Sequence, residues 1–244
     1  MTANHFFVDR RDVENRRARL TGAEHHHLSR VVRVTLGDDV WLFDDRGMTY
    51  RARVEAITPE ETRLAILEQQ GPRTRPLRIT LGQALLKAKG MELVIQKATE
   101  FGVYAIAPIE AARSVVRAGH REAKINDRWI KIALAASKQS HSGMLPRIFA
   151  PRPLKDFLGD PPGPVTLALN ERGGRPLREI VRGSGKEPPV DVRVLVGPEG
   201  GWTTGEERLI LEAGAITVSL GGNVLRAETA ALAAAAILTH FWSD

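Results

Sequence analysis

The sequence predicts an α/β protein, a parallel-sheet domain preceded by a smaller β-rich module. Three observations carry that prediction. Strand patterns dominate the first seventy residues, and beyond residue 76 apolar strand-length runs alternate with helical segments. Between them lies QQGPRTRP, residues 69–76, where a glycine, two prolines and two arginines read as a linker. The expected domains are residues 1–72 and 73–244.

In the first module HFFV (5–8) can start a strand. Thr21-Gly22-Ala23-Glu24 spells a capping box ahead of a short helix at about His25 to Val32. VWLF (40–43) and TYRARVEAI (49–57) read as strands joined by the Asp44-Asp45-Arg46-Gly47 turn, and RLAILEQ (63–69) supplies another strand. A small barrel-like module results.

The second module opens with the strand LRITLGQAL (77–85), followed by the helix KGMELVIQKATEF (89–101) and the strand VYAIAPIEA (103–111). A long helix through RWIKIALAASKQ (128–139) comes next, then the strands VTLALN (165–170) and VRVLVG (192–197). A helix opened by Thr203-Thr204-Gly205-Glu206, the strand AITVSL (215–220) and the helix ETAALAAAAILTHF (228–241) complete it. Strand, crossover helix, strand is the grammar of a parallel sheet covered on both faces.

Composition bounds the chemistry. The 35 Lys and Arg against 29 Asp and Glu give a net charge of +6, with Arg10, Arg11, Arg16, Arg17, Arg19, Arg30 and Arg33 clustered early. This excess fits either an anionic partner, most simply nucleic acid, or merely a basic surface. The chain has no cysteine, which removes disulfides, thiolate nucleophiles and zinc–thiolate clusters. Ala230 to Leu238, the longest apolar stretch, is too short to span a bilayer, and Met1 to Arg10 lacks the apolar run of a signal peptide. A cytoplasmic protein with no membrane partner is the expectation. His25, His26 and His27 invite a metal reading, but adjacent helical residues do not face one another and no coordinating partners recur nearby, so no metal site is expected.

In parallel sheets ligands lie at the carboxyl ends of strands, and three such ends are suited to one: LALN (167–170), VGPEGG (196–201) and LGGNVLR (220–226). Neither glycine-rich loop is a phosphate cradle, because the P-loop ends in Gly-Lys-Ser/Thr and the dinucleotide fingerprint spaces its glycines differently. Glu199 also places a negative charge where a phosphate wants none. An adenosine-like, unphosphorylated, cationic ligand suits these loops better, and S-adenosylmethionine has that description. Each glycine could instead serve only a tight turn, Glu199 could cap a neighbouring helix, and Glu228 could be a favourable charge at a helix N-terminus.

Gly197-Pro198-Glu199-Gly200-Gly201, followed by Leu220-Gly221-Gly222-Asn223-Val224-Leu225-Arg226-Ala227-Glu228-Thr229-Ala230, resembles the paired signature of the RsmE family. Members of that family are SPOUT-class methyltransferases that move a methyl group from S-adenosylmethionine to N3 of a uridine in 16S ribosomal RNA. The resemblance continues through Gln96 to Val103, through Arg113-Ser114-Val115-Val116, and through His27-Leu28, Val31-Val32-Arg33 and Gly37-Asp38. It covers nearly the whole chain. It implies a PUA-like β-barrel that helps hold RNA, a SPOUT-type parallel-sheet domain with a deep trefoil knot around the cofactor, and a homodimer acting on 16S ribosomal RNA or the assembled small subunit. The segment Lys138-Gln139-Ser140-His141-Ser142 departs from the family, which usually has Glu-Gln, Ser or Cys, any residue, then Arg. Here a carboxylate and a guanidinium are exchanged for other groups.

The resemblance and the strand-end argument together give a cofactor-binding set of Leu169, Asn170, Val196, Gly197, Glu199, Gly200, Leu220, Gly221, Asn223, Leu225 and Arg226. Arg226 is also the catalytic candidate, because a positive donor near the uracil carbonyls would stabilise the anion that develops as N3 loses its proton. A phosphate contact or a structural salt bridge is the alternative for that residue. The RNA-binding candidates are Arg10, Arg11, Arg19, Arg30, Arg33, Arg113 and Lys138. A nucleotide-dependent oxidoreductase is opposed by the missing phosphate motifs. A catalytically silent RNA-binding protein of the same fold is opposed by the intact LGGNVLRAETA.

Overall fold

The computed structural model describes residues 4–72, 77–114, 122–160, 165–171, 173–185 and 189–242. Residues 73–76 of the expected linker, and Val115 and Val116, lie outside them. Two compact units are present: residues 1–74 with 134–145, and residues 75–133 with 146–244.

In the first unit six strands form one sheet: β1 (His5–Phe7), β2 (Val13–Glu14), β3 (Arg17–Thr21), β4 (Asp39–Phe43), β5 (Thr49–Ile57) and β6 (Glu61–Gln70). Their order is β1-β4-β5-β6-β3-β2, with β1 parallel to β4 and every other pair antiparallel. Period-two alternation turns Ala18 and Leu20 of β3, and Tyr50, Ala52 and Val54 of β5, inward onto Phe6, Leu28, Leu42 and Leu64. The arginines of β3 point outward from the same alternation. The Asp44 to Gly47 turn forms as expected. Asp44 is buried; its Oδ1 accepts the backbone N–H groups of Arg46 at 2.9 Å and Met48 at 3.0 Å, and Gly47 takes φ 79°.

The capping box expected at Thr21 does not form. Helix α1 (Gly22–His26) begins there and runs into a π-helical turn over His27–Val32, but Thr21 makes no side-chain capping bond. Glu24 is engaged elsewhere: its Oε2 accepts the Phe7 N–H at 3.1 Å and its Oε1 lies 2.7 Å from the Lys138 ammonium. The tertiary contacts outcompete the local one.

In the second unit eight strands pair, every pair parallel: β7 (Arg78–Ala84), β8 (Ala105–Glu110), β9 (Arg147–Ile148), β10 (Arg152–Pro153), β11 (Val165–Leu169), β12 (Arg175–Pro176), β13 (Asp191–Val196) and β14 (Ile216–Ser219). The order is β10-β8-β7-β13-β11-β14-β12, with β9 on β8. The connecting helices are α2 (Ala88–Glu100), α3 (Glu122–Gln139), α4 (Leu154–Gly159), α5 (Leu177–Gly183), α6 (Thr204–Glu212) and α7 (Ala227–Trp242); the last residues of α3 belong to the first unit. Neither α4 nor α5 is legible in the sequence, because elements this short hold only two buried residues each and carry no readable period. The helix anticipated after Thr203 is capped in full: Thr203 accepts the Glu206 N–H, and Glu206 accepts the Thr203 N–H in return.

Candidate functional site

The central strands of the second unit end together. At the carboxyl ends of β7, β13, β11 and β14, which are neighbours in that order, the chain leaves a cavity of about 590 Å³. All eleven residues of the expected cofactor set line it: Leu169 and Asn170 after β11, Val196, Gly197, Glu199 and Gly200 after β13, and Leu220, Gly221, Asn223, Leu225 and Arg226 between β14 and α7. The sequence reading missed Lys87 and Gly90, at the start of α2, and Trp202 and Glu207 beyond the glycine loop. Lys87 follows the carboxyl end of β7, so the same strand-end rule could have found it.

The glycine loop is both a turn and a wall of the cavity. The Gly201 N–H donates to the Pro198 carbonyl at 2.8 Å, and Gly201, at φ 67°, is the residue that needs glycine's conformational freedom. On the opposite wall Gly221 takes φ 139°, and a Cβ built there would meet nothing within 4 Å, so its backbone faces open space. The lining also has apolar groups (Leu169, Val196 and Leu220 among them), the amides of Asn170 and Asn223, the carboxylates Glu171, Glu199, Glu207 and Glu228, and the cations Lys87, Arg113 and Arg226. Leucine and valine flanks with exposed backbone suit a planar heterocycle, and carboxylates suit a cationic ligand. These residues fit S-adenosylmethionine and offer no phosphate cradle.

Arg226 stands at the entry to α7, where its carbonyl accepts the Ala230 N–H at 2.8 Å, and its exposed side chain has no ion-pair partner among the described residues. Arg113, expected to meet RNA, lines the same cavity and donates from Nη1 to the carbonyls of Gly200 at 2.9 Å and Trp202 at 3.3 Å.

The other RNA candidates lie in the first unit. Arg11 pairs with Asp9 at 2.6 Å, Arg19 with Asp12 at 2.7 Å, and Lys138 with Glu24 at 2.7 Å. Arg10, Arg30 and Arg33 are exposed and have no carboxylate partner among the described residues. Of the three histidines, His25 is turned inward, its Nδ1 2.8 Å from Thr62 Oγ1 and its Nε2 3.2 Å from the Pro59 carbonyl. No cluster of three or more metal-ligating side chains occurs among the described residues, and no helix among them is long and apolar enough to cross a membrane.

Comparison with known proteins places this architecture. A family model described as the RNA methyltransferase domain matches residues 73–239, and one described as the RNA methyltransferase PUA domain matches residues 20–67. Ribosomal RNA small subunit methyltransferase E of Synechocystis is 34% identical over 86% of this chain and 69% of its own length. The protein of that name from Mycobacterium bovis is 31% identical over 99% of this chain and 94% of its own. The crystal structure of the Neisseria gonorrhoeae protein, bound to S-adenosyl methionine, superimposes with a TM-score of 0.86 at 30% identity, covering 98% of each chain. A parallel-sheet domain of the RNA methyltransferase class joined to a PUA domain, with both glycine loops on one cavity, makes this chain a member of the ribosomal RNA small subunit methyltransferase E family.

Proposed function

We propose that this chain transfers a methyl group from S-adenosylmethionine to N3 of a specific uridine in 16S ribosomal RNA, acting on the assembled small subunit as a cytoplasmic homodimer. The observation that carries the reading is the convergence of three separate strand-end loops on one cavity with apolar flanks and several carboxylates. Residues 1–72 serve RNA binding and residues 73–244 serve cofactor binding and dimerisation, with the trefoil knot that the family resemblance implies.

S-adenosylmethionine brings a methyl group that is already electrophilic, so the protein's work is placement and stabilisation of the nucleophile's charge. The backbone of Gly197, Gly200, Leu220, Gly221 and Leu225 holds the adenosine, with Leu169 and Asn170 as one wall and Val196 and Asn223 nearby. Glu199 faces the cationic end. Holding N3 in line with the methyl carbon and sulfur removes much of the entropic barrier. Uracil N3 carries an imide proton, which passes to solvent, and its loss puts negative charge on the flanking carbonyls. The Arg226 guanidinium donates to that charge. Cations of the first unit hold the phosphates and fix the register without reading bases.

Tritiated methyl transfer to small-subunit particles, followed by nucleoside mass spectrometry, tests the proposal. Label in 3-methyluridine is the expected result. Label in another nucleoside overturns the position, and cofactor binding without transfer to any particle favours the silent RNA-binding alternative.

A further inference from the structure

We infer that Arg113 is a positioning residue for the ligand-facing loop 198–202, and that Gly200 is held to glycine by the Arg113 side chain. The inference rests on the cofactor reading above and gives Arg113 a different task from the phosphate contact its charge suggested. Arg113 follows β8, and the loop follows β13; nothing in the sequence joins them. The guanidinium ties two carbonyls of the loop, those of Gly200 and Trp202, through one nitrogen. Its aliphatic stem lies on Gly200: a Cβ built there would stand 3.2 Å from Arg113 Cβ and 3.4 Å from Cδ. Glu206 adds a second tie between the same two segments. Its Oε1 accepts the Ala112 N–H at 2.8 Å while Oε2 accepts the Thr203 N–H at 2.8 Å and the Thr203 hydroxyl at 2.9 Å.

Two carbonyls turned toward Arg113 are two carbonyls turned in a fixed direction, and they add to the Pro198–Gly201 bond and the buried Trp202 in holding the loop. A loop fixed before the ligand arrives loses less conformational entropy on binding. Arg113 therefore acts on affinity through the loop. The Gly200 side of the contact makes a distinct claim: an alanine there meets Arg113 at its Cβ as well as along its stem, so its cost passes through Arg113.

Amide hydrogen exchange of residues 199–203, without ligand or RNA, is measured first. Arg113→Ala should speed it about tenfold, and Arg113→Lys, which keeps a donor and packs like the parent, should restore part of the protection. Calorimetry with S-adenosylhomocysteine as the probe follows on wild type, Gly200→Ala, Arg113→Ala, Arg113→Gly and the double variant of Gly200→Ala with Arg113→Gly, glycine being needed there because alanine keeps the Cβ that stands 3.2 Å from the added methyl. Each single variant should weaken binding about tenfold, and the double variant should be little weaker than Arg113→Gly alone. Unchanged exchange and affinity in Arg113→Ala, with a shallower salt dependence of RNA binding, would make the residue a phosphate contact and overturn the inference. Equal weakening by Gly200→Ala in both backgrounds would overturn the coupling and place the ligand directly on Gly200. If the wild type itself fails to bind the probe, the cofactor reading falls, while the exchange data still decide whether Arg113 orders the loop.

Discussion

Gly197 lies against the face of the Trp202 indole: a Cβ built on that glycine would stand 3.2 Å from the indole Nε1, 3.3 Å from Cε2 and 3.5 Å from Cδ1. Trp202 is buried, and its Nε1 has no hydrogen-bond partner among the described residues, so the contact is one of packing alone. Gly197→Ala must push the ring into its neighbours. Overpacking of this kind costs about 1–3 kcal/mol, to be read as a lower urea midpoint with unchanged slope. The same variant should weaken S-adenosylhomocysteine binding, since residue 197 and the indole both line the cavity.

Arg226→Ala separates binding from chemistry. The guanidinium is exposed and ties down no other side chain among the described residues, so the cavity should keep its shape and its affinity for the probe. Methyl transfer to small-subunit particles should fall about 100-fold, the decrease expected when one donor to a developing anion is removed. Full turnover in the variant would reduce Arg226 to a helix entry residue.

The first-unit arginines divide by their partners. Arg30 and Arg33 have no carboxylate partner among the described residues and can each give a full charge to a phosphate, whereas Arg19 is paired with Asp12. Replacing Arg30 or Arg33 by alanine should make the log–log salt dependence of RNA binding shallower by about 0.7 for each phosphate no longer neutralised, and Arg19→Ala should change it less. Filter binding across a salt series measures the slopes.

Tyr50 sets an alkaline limit. Burial raises its phenol to about 12, and the Asp44 carboxylate, which accepts the hydroxyl at 3.1 Å, adds to the rise. A folded pKa above the unfolded value near 10 means that the contribution is complete below pH 10 and is lost as pH rises from about 10 to 12. Stability of the wild type should fall across that window, and Tyr50→Phe should remove this part of the fall. The difference in absorbance at 295 nm between the two proteins locates the phenol's titration directly.

What the sequence made legible is unequal between loop and context. The two glycine loops could be read because each combines a strand end, glycines and a following helix within a few residues. Lys87, just past the end of β7, was within reach of the same strand-end rule, whereas Trp202 and the role of Arg113 were not, because they depend on which strands lie side by side, and β7 and β13 are more than a hundred residues apart. The two capping patterns make the point sharply. Thr203 and Glu206 form the box that their spacing spells, whereas Thr21 and Glu24, with the same spacing, do not, because Lys138 and the Phe7 N–H take the carboxylate. Strand β3 was hidden for a different reason: its buried Ala18 and Leu20 sit among arginines whose charge dominates any local average.

The Lys138–Glu24 pair also fixes an order of events at birth. Residues 134–145 complete a unit whose other part ends at residue 74, so the first sheet leaves the ribosome well before its last piece has been made. At 5–20 residues per second, the intervening stretch, residues 75–133, takes roughly 3–12 s to synthesise. During that interval the Glu24 carboxylate waits without its ammonium, and the nascent sheet is held by its strands alone.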